Sequence, residues 1–212
     1  MLTDEQILEN KKTFLELIES IERPYAEIER LKNKLLTSDF FYAPASTKYH
    51  CDYPGGLCEH SLNVYYNLVA LVNGREGLDA CCYDENSLKI VALLHDISKM
   101  NIYERTFKNE KVYSEDGSKW DNGGKFDWVS VPGWRLKDNR FIYGNHEATS
   151  DFIISQFIPM TIDERVAVLH HMGGKSWDSA QDDLTRVYSG YSLAVLLHLA
   201  DMLATYIDER RV

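Results

Sequence analysis

The 212-residue sequence lacks a long hydrophobic run. No stretch reaches the roughly 18 to 20 consecutive apolar residues that a helix needs to cross a bilayer. The first residues, Met1-Leu2-Thr3-Asp4-Glu5, also lack the basic and apolar regions of a signal peptide. The sequence therefore predicts a cytoplasmic protein that has no membrane partner.

Cysteine is scarce, with 4 residues at Cys51, Cys58 and the adjacent pair Cys81-Cys82. No Cys-x-x-Cys repeats along the chain, which argues against a thiolate zinc site and against a disulfide framework. A zinc site made by His50, Cys51, Cys58 and His60 fits no common ligand spacing. We therefore expect reduced thiols.

Basic residues are outnumbered, with 23 Lys and Arg against 33 Asp and Glu and a formal charge of -10. Clustered cations carry the binding of nucleic-acid backbones, so a long nucleic acid is not expected as a partner. A small anionic, phosphorylated substrate held through a metal remains compatible with this charge. The length suits a single domain, residues 1–212, with a full core.

Helical periodicity predicts two leading helices in residues 1–36. Thr3 and Gln6 have the spacing of a capping box before the first helix, and Pro24 starts the second. An aromatic, turn-rich segment from Ser38 to Gly56 predicts an ordered loop. A third helix is then expected from about Leu57 to Val72.

The middle of the chain changes character twice. Asn86-Ser87 is expected to cap a helix whose residues up to Leu94 are apolar nearly all round, which predicts a central, buried element. Residues 101–145 lose the helical period, and Tyr103 to Tyr113 reads as a strand, so we expect a small β-hairpin excursion there.

The helical pattern resumes from about His146 to Phe157. Thr161 and Glu164 form a second capping box, before a helix that Gly173-Gly174 ends. A polar loop is then predicted, followed by a last helix from Tyr191 to Ile207.

Histidines and carboxylates recur along these helices, at His60, His95-Asp96, His146, His170-His171 and Asp201. An ionised carboxylate among leucines, as at Asp96 and Asp201, is destabilising unless it is paired or binds a metal. One shared cation satisfies the whole set. Mixed nitrogen and oxygen donors suit iron, manganese, zinc or nickel better than calcium. His198 is expected to support the site or the core rather than to bind metal.

These residues carry a resemblance to a known superfamily. The runs Phe41-Tyr42-Ala43-Pro44-Ala45, Gly55-Gly56-Leu57-Cys58-Glu59-His60-Ser61, Ala92-Leu93-Leu94-His95-Asp96-Ile97-Ser98-Lys99, His171-Met172-Gly173-Gly174 and Leu199-Ala200-Asp201 resemble the HD-domain metal-dependent phosphohydrolases. The likeness covers about Phe40 to Ile207. It is closest to single HD domains of bacterial and phage type and to the HD part of the YhaM-like exoribonucleases. The resemblance implies an all-α helical bundle.

Two features depart from that pattern. Ser98 stands where a glycine is common, and the nucleic-acid-binding OB domain of the YhaM-like enzymes is absent. The second departure, with the acidic charge, argues against a processive exonuclease.

The resemblance also implies a centre with two divalent metal ions. His60, His95, Asp96 and Asp201 would hold one ion, and Asp96 would bridge to a second ion held by His146 and His171. His171 is favoured over His170 because it directly precedes Met172-Gly173-Gly174, which leaves His170 as a substrate contact.

The implied reaction is attack of a metal-activated hydroxide on phosphorus, with Asp96 and Lys99 as catalytic residues. Lys99, three residues after Asp96, would meet the substrate phosphate. Further substrate contacts are predicted at Arg105, Arg140 and Lys48, and Tyr42, Tyr49 and Tyr143 are candidates for stacking on a base or sugar.

The leading interpretation is a phosphohydrolase acting on a nucleotide, a cyclic nucleotide or a short oligonucleotide. Two alternatives stay open. The same ligand order and the lysine resemble the di-iron inositol oxygenases, and a non-catalytic HD domain could sense a nucleotide without turning it over.

Overall fold

A computed structural model describes residues 1–74, 83–173 and 181–210. Cys81 and Cys82, which are expected to be reduced thiols, lie outside the described residues. So does Gly174, which is expected to end a helix. This part of the chain is mostly helical, with one small sheet. Its α-helices are α1 (Asp4–Glu19), α2 (Tyr25–Leu36), α3 (Gly56–Asn73), α4 (Glu85–Leu94), α5 (His146–Ser155), α6 (Ile162–Leu169), α7 (Gln181–Gly190) and α8 (Ser192–Leu203).

Both predicted capping boxes are confirmed. The Thr3 hydroxyl accepts from the backbone N–H of Gln6, whose side chain accepts from the backbone N–H of Thr3 at 2.8 Å. Thr161 and Glu164 make the same reciprocal pair at the start of α6. Each box satisfies two backbone donors that an open helix end would leave unpaired.

Three local expectations need correction. The N-cap of α4 is Asp84, which accepts from the backbone N–H of Asn86, so Asn86-Ser87 lies inside the helix. Residues 181–190 form α7, where a polar loop was predicted. The last α-helix ends at Leu203 and continues as a wider π-helical turn over Ala204–Asp208.

The apolar residues of α4 occupy the centre of the core, as their pattern predicts. Ile90, Leu93 and Leu94 are fully buried. Helix α3 packs against α4 and α8, and α6 packs against α5 and α8. The core thus surrounds the point where α4 ends, at His95.

A buried carboxylate joins the N-terminal helices to this core. Glu164 is fully buried and accepts hydrogen bonds from Arg23 at 3.0 Å and from Ser87 at 2.6 Å. Arg23 lies between α1 and α2, Ser87 lies on α4, and Glu164 lies on α6. Because hydrogen-bond donors surround the carboxylate, they offset the free-energy cost of burying its charge.

The predicted strand Tyr103–Tyr113 is confirmed as β1. It pairs antiparallel with β3 (Gly124–Leu136), and the short β2 (Lys119–Asp121) pairs with the other edge of β3. The predicted hairpin is therefore a sheet with a third, short strand. The β1–β3 register runs from Tyr103 opposite Leu136 to Tyr113 opposite Phe126.

No single helix in the described ranges is both long and apolar enough to cross a membrane. Helices 184–190 and 192–208 meet the length and composition criteria only when taken together, and they are bent by 107° where they join.

The loop before α3 is held tightly against the start of that helix. Gly55 adopts a φ of 82°, which favours glycine, and a Cβ on Gly56 would overlap the backbone carbonyl of Cys51. The N–H of Leu57 donates to the Ala43 carbonyl at 3.0 Å. These contacts fix the first turn of α3, which carries His60.

We expect Gly56→Ala to destabilise the fold, because the new methyl group meets backbone that has no room to move. A loss of about 1–3 kcal/mol is the usual effect of such overpacking, and differential scanning calorimetry would show a melting temperature lower by about 3 to 10 °C. Gly190→Ala is the matched control, since nothing in the described part of the chain lies within 4 Å of its added Cβ. Equal melting temperatures for the two variants would contradict this account.

Candidate metal centre

Five parts of the described chain deliver side chains to one buried point. His60 lies in the first turn of α3, and Asp201 lies near the end of α8. His95 caps the C-terminus of α4, and Asp96 follows it in non-helical conformation. His146 opens α5, and His171 lies two residues beyond α6. The chain leaves the helix at this pair, and the donor atoms of the two residues converge, with His95 Nε2 3.4 Å from Asp96 Oδ2.

One oxygen of Asp96 faces the first group of ligand atoms. Asp96 Oδ2 lies 3.6 Å from His60 Nε2 and 3.4 Å from His95 Nε2. Asp201 Oδ1 lies 3.3 Å from the same His60 nitrogen. Donor atoms about 2.0–2.2 Å from a common ion are separated by roughly these distances, so His60, His95 and Asp96 can hold one metal ion, with Asp201 beside them.

The second oxygen of Asp96 faces a different pair of imidazoles. Asp96 Oδ1 lies 3.8 Å from His146 Nε2 and 3.7 Å from His171 Nε2. These three atoms form a second group within reach of one cation. Asp96 is thus placed between the two groups, with one oxygen directed to each.

Five of the donor atoms are buried and lack hydrogen-bond partners among the described residues. They are Nε2 of His60, His95, His146 and His171, together with Oδ1 of Asp96. Buried polar atoms are normally paired, so a cluster of unpaired ones pointing at each other indicates a missing partner. Four imidazole lone pairs and a carboxylate are donors suited to a transition metal.

Hydrogen bonds on the far side of the rings set which nitrogen is free. His95 Nδ1 lies 2.8 Å from the Ala92 carbonyl, and His171 Nδ1 lies 2.7 Å from the Val168 carbonyl. A carbonyl only accepts, so each Nδ1 carries the proton and each Nε2 offers its lone pair to the centre. Both rings are therefore oriented by backbone from the last turn of their own helix.

Neighbouring charges set the protonation states of Asp96 and His60. Burial alone would raise the pKa of Asp96, but Lys99 and His95 outweigh it and hold that pKa well below its usual range. Burial lowers the pKa of His60, yet the carboxylates of Glu209 and Asp201 prevail and raise it to about 10. Without a metal, the carboxylates hold a proton on His60, and a metal ion would have to displace it.

Lys99 and Ser98 follow the pair in a short 3-10 turn, Ile97–Lys99. Lys99 Nζ lies 2.6 Å from Asp96 Oδ2, because residues three apart eclipse each other in such a turn. Ser98 accepts at 2.9 Å from the hydroxyl of Ser150, which lies on α5. The serine that departs from the HD pattern therefore ties this turn to the helix that carries His146.

Two residues near the centre were not assigned to it from the sequence. Glu209 Oε1 lies 3.0 Å from His60 Nδ1 and also accepts from Asn63. The ring of His50 stacks on His60, with centroids 4.8 Å apart. Glu209 follows the last helix in a polar stretch without a distinguishing pattern, and His50 lies in a loop, so only the folded contacts reveal them.

A cavity of about 320 Å³ adjoins the second group of donors. His146, Lys99 and Arg140 supply its charged and titratable side chains. Its apolar wall includes Ile102, Leu136 and Phe141. Among the described residues, none that lines the cavity is acidic, although the chain as a whole carries a charge of -10.

The other predicted contacts lie elsewhere in the described structure. Lys48, Arg105 and His170 do not line this cavity. Tyr143 stacks on Phe152 at 4.6 Å, while Tyr42 and Tyr49 are exposed. His198 Nδ1 lies 2.6 Å from the His171 carbonyl, in a supporting position. Cys51 and Cys58 are free and buried and belong to neither group of donors, which leaves the zinc alternative without support.

Comparison of the chain with protein-family models, with curated proteins and with solved structures gives no match. The geometry above therefore stands on its own.

Loss of the Glu209 charge is expected to weaken metal binding. The carboxylate orients His60 and makes its ring more basic, so Glu209→Gln should reduce the affinity for Mn²⁺ or Zn²⁺ by about 10- to 100-fold. Competition with a chromophoric chelator measures this directly. Asp208→Asn is the control, because Asp208 accepts from Asn67 at the surface and touches none of the donors. Equal affinities in both variants would remove Glu209 from the centre.

Proposed function

We propose that the chain is a binuclear HD-type phosphohydrolase, hydrolysing a phosphate ester of a nucleotide, a cyclic nucleotide or a short oligonucleotide. The observation that carries the proposal is Asp96, whose two oxygens face two sets of unpaired histidine nitrogens. The order of these ligands along the sequence, and the lysine after the pair, agree with the resemblance to the HD superfamily.

Bound divalent ions would supply a nucleophile by lowering the pKa of a coordinated water and would neutralise charge on the phosphoryl oxygens. The chain's own part is to hold and orient the substrate. Lys99 reaches from Asp96 to the cavity wall, so its ammonium group can contact a phosphoryl oxygen beside the centre. Positioned cations of this kind are a main source of rate in phosphoryl transfer.

The lining of the cavity favours an anion attached to a less polar group. Its charged side chains are cationic, and Arg140 lies on the same cavity as Lys99. Ile102, Leu136 and Phe141 form a surface that fits a base or a sugar better than a second phosphate. A nucleotide combines both properties in one molecule.

The metal content of the protein tests the centre first. Elemental analysis of anaerobically purified protein should find about two metal ions per chain. His146→Ala should retain about one, and Asp96→Ala should retain almost none. His170→Ala is the matched control, because His170 neighbours His171 but belongs to neither group of donors. Turnover of a panel of phosphomonoesters and phosphodiesters should follow the occupancy.

Other outcomes of that experiment separate the alternatives. Iron bound at full occupancy without turnover of any phosphoester would favour the di-iron oxygenase. Tight nucleotide binding without turnover would favour the sensor. Failure to bind metal on reconstitution would reject both the phosphohydrolase and the oxygenase.

Lys99→Gln should separate catalysis from metal binding. Removing the ammonium leaves the donors in place and takes a competing cation away from Asp96, so metal content should not fall. We expect kcat/KM for a phosphoester to drop by about 100-fold or more. Lys137→Gln is the control, since Lys137 donates to the Asn101 carbonyl outside the cavity. Loss of metal in Lys99→Gln, or unchanged kcat/KM, would contradict the assigned role.

A further inference from the structure

The strand register places most aromatic side chains of the sheet on one side. Side chains alternate between the faces of a strand, so residues two apart share a face, as do residues paired directly across the ladder. We use "aromatic face" for the side that carries Tyr103, Phe107 and Tyr113 of β1 and Phe126, Trp128 and Trp134 of β3. These rings form a row along the two long strands that is interrupted at the pair of Asn109 and Ser130, and Phe126 is buried within it.

Much of this row is accessible beyond its inner end. Phe107 is 74% exposed, Tyr113 50% and Trp128 48%. Large aromatic side chains are rarely left in water in such a row without a partner. Tyr103, at the inner end, is buried against the core.

Cations are interleaved with the rings. The guanidinium of Arg105 stacks 3.9 Å from the centre of the Trp134 ring, and Lys111 Nζ lies 4.4 Å from the centre of Phe126. Lys119 of β2 shares the face through its pairing with Phe126. The acidic residue that the described strands place on this face is Asp121, which is paired with Lys111.

The opposite face differs in both respects. Glu104, Glu110 and Asp127 alternate there with Lys108, Lys125 and Arg135, so its charges balance. Its aromatic residue is Trp120, which is 73% exposed. Rings beside an excess of cations are thus a property of one face rather than of the sheet as a whole.

The aromatic face leads directly into the cavity beside the metal centre. Tyr103 and Leu136 form the innermost cross-strand pair, and both line the cavity together with Lys99 and His146. From Tyr103 to Tyr113 the row extends for roughly 33 Å, at about 3.3 Å per residue. A ligand lying along it would have one end at the proposed catalytic site.

We propose that the aromatic face binds a short single-stranded oligonucleotide and presents its end to the cavity. Exposed bases stack on aromatic rings whatever their identity, and backbone phosphates pair with the cations between those rings. This inference rests on the proposed function for the cavity and narrows its substrate class. The sequence disfavours long nucleic acids by net charge, but on this face of an acidic chain the cations outnumber the acidic residues, three to one among the described strands.

Fluorescence anisotropy with the full chain tests the proposal, using a labelled single strand of about ten nucleotides and the duplex of the same sequence. The single strand should bind, and the duplex should bind more weakly because its bases are already stacked. Phe107→Ala and Trp128→Ala should each lower the affinity by about 5- to 150-fold, as expected for the loss of one stacked base. Arg105→Gln should lower the slope of log affinity against log salt by about 0.7.

Trp120→Ala is the matched control, an exposed aromatic residue of the same sheet on the opposite face. It should leave binding unchanged. Equal losses from Trp120→Ala and Trp128→Ala would overturn the proposal, because binding would then not distinguish the two faces. Absence of single-strand binding by the parent protein would also overturn it.

Two other occupants of the face have distinct signatures. A dimer in sedimentation velocity that Phe107→Ala dissociates would identify a second copy as the occupant and overturn the proposal. Cosedimentation with anionic phospholipid vesicles, lost in Phe107→Ala, would identify a lipid surface and also overturn it.

Measurements on the parent protein separate this inference from the proposed function. Turnover of a small chromogenic phosphodiester with about two bound metals, but no single-strand binding, would support the phosphohydrolase and reject the aromatic face as a binding site. Binding of the single-stranded oligonucleotide that depends on Trp128, in a protein with no metal and no turnover, would support the aromatic face as a binding site and reject the phosphohydrolase.

Discussion

Everything around the centre depends on keeping the Asp96 carboxylate ionised in a buried place. A carboxylate in such a position is stable only if positive or hydrogen-bonding groups surround it. Lys99 contacts it at 2.6 Å, and imidazole nitrogens lie on either side of both its oxygens. The core of α3, α4, α6 and α8 meets at this residue, so the same packing that buries the leucines assembles the ligands.

The histidine rings of the centre differ in how strongly hydrogen bonds hold their orientation. His95 and His171 are locked by carbonyls of their own helices, and His60 is locked by Glu209. His146 has only Glu147 at 3.3 Å beside its Nδ1, and its side chain is 36% exposed. The first group of donors is therefore rigid and closed, whereas the second opens to the cavity where a substrate would enter. A metal ion held between these groups would therefore be reached from the side of the second group.

The sequence predicts those parts of the molecule that depend on local pattern. The capping residues Thr3 and Thr161, the burial of α4 and the bounds of β1 follow from periodicity and helix-end chemistry. Helix α7 was missed because a short polar sequence is also typical of a loop. Glu209 was missed because its contact with His60 spans 149 positions along the chain, and no neighbouring residue signals such a contact. The meeting of His60, Asp96 and Asp201 was predictable only because buried carboxylates need a common positively charged partner.

The two ends of the sheet insertion meet where Lys137 N–H donates to the Ile102 carbonyl at 2.8 Å, just outside the pair of Tyr103 and Leu136. Since the two ends of the insertion already touch, its length can change without altering the closure entropy of the bundle around it. Evolution can thus lengthen, shorten or resurface the strands while the ligands stay in place. Such an arrangement would let the candidate metal centre and the surface of the sheet change independently of each other.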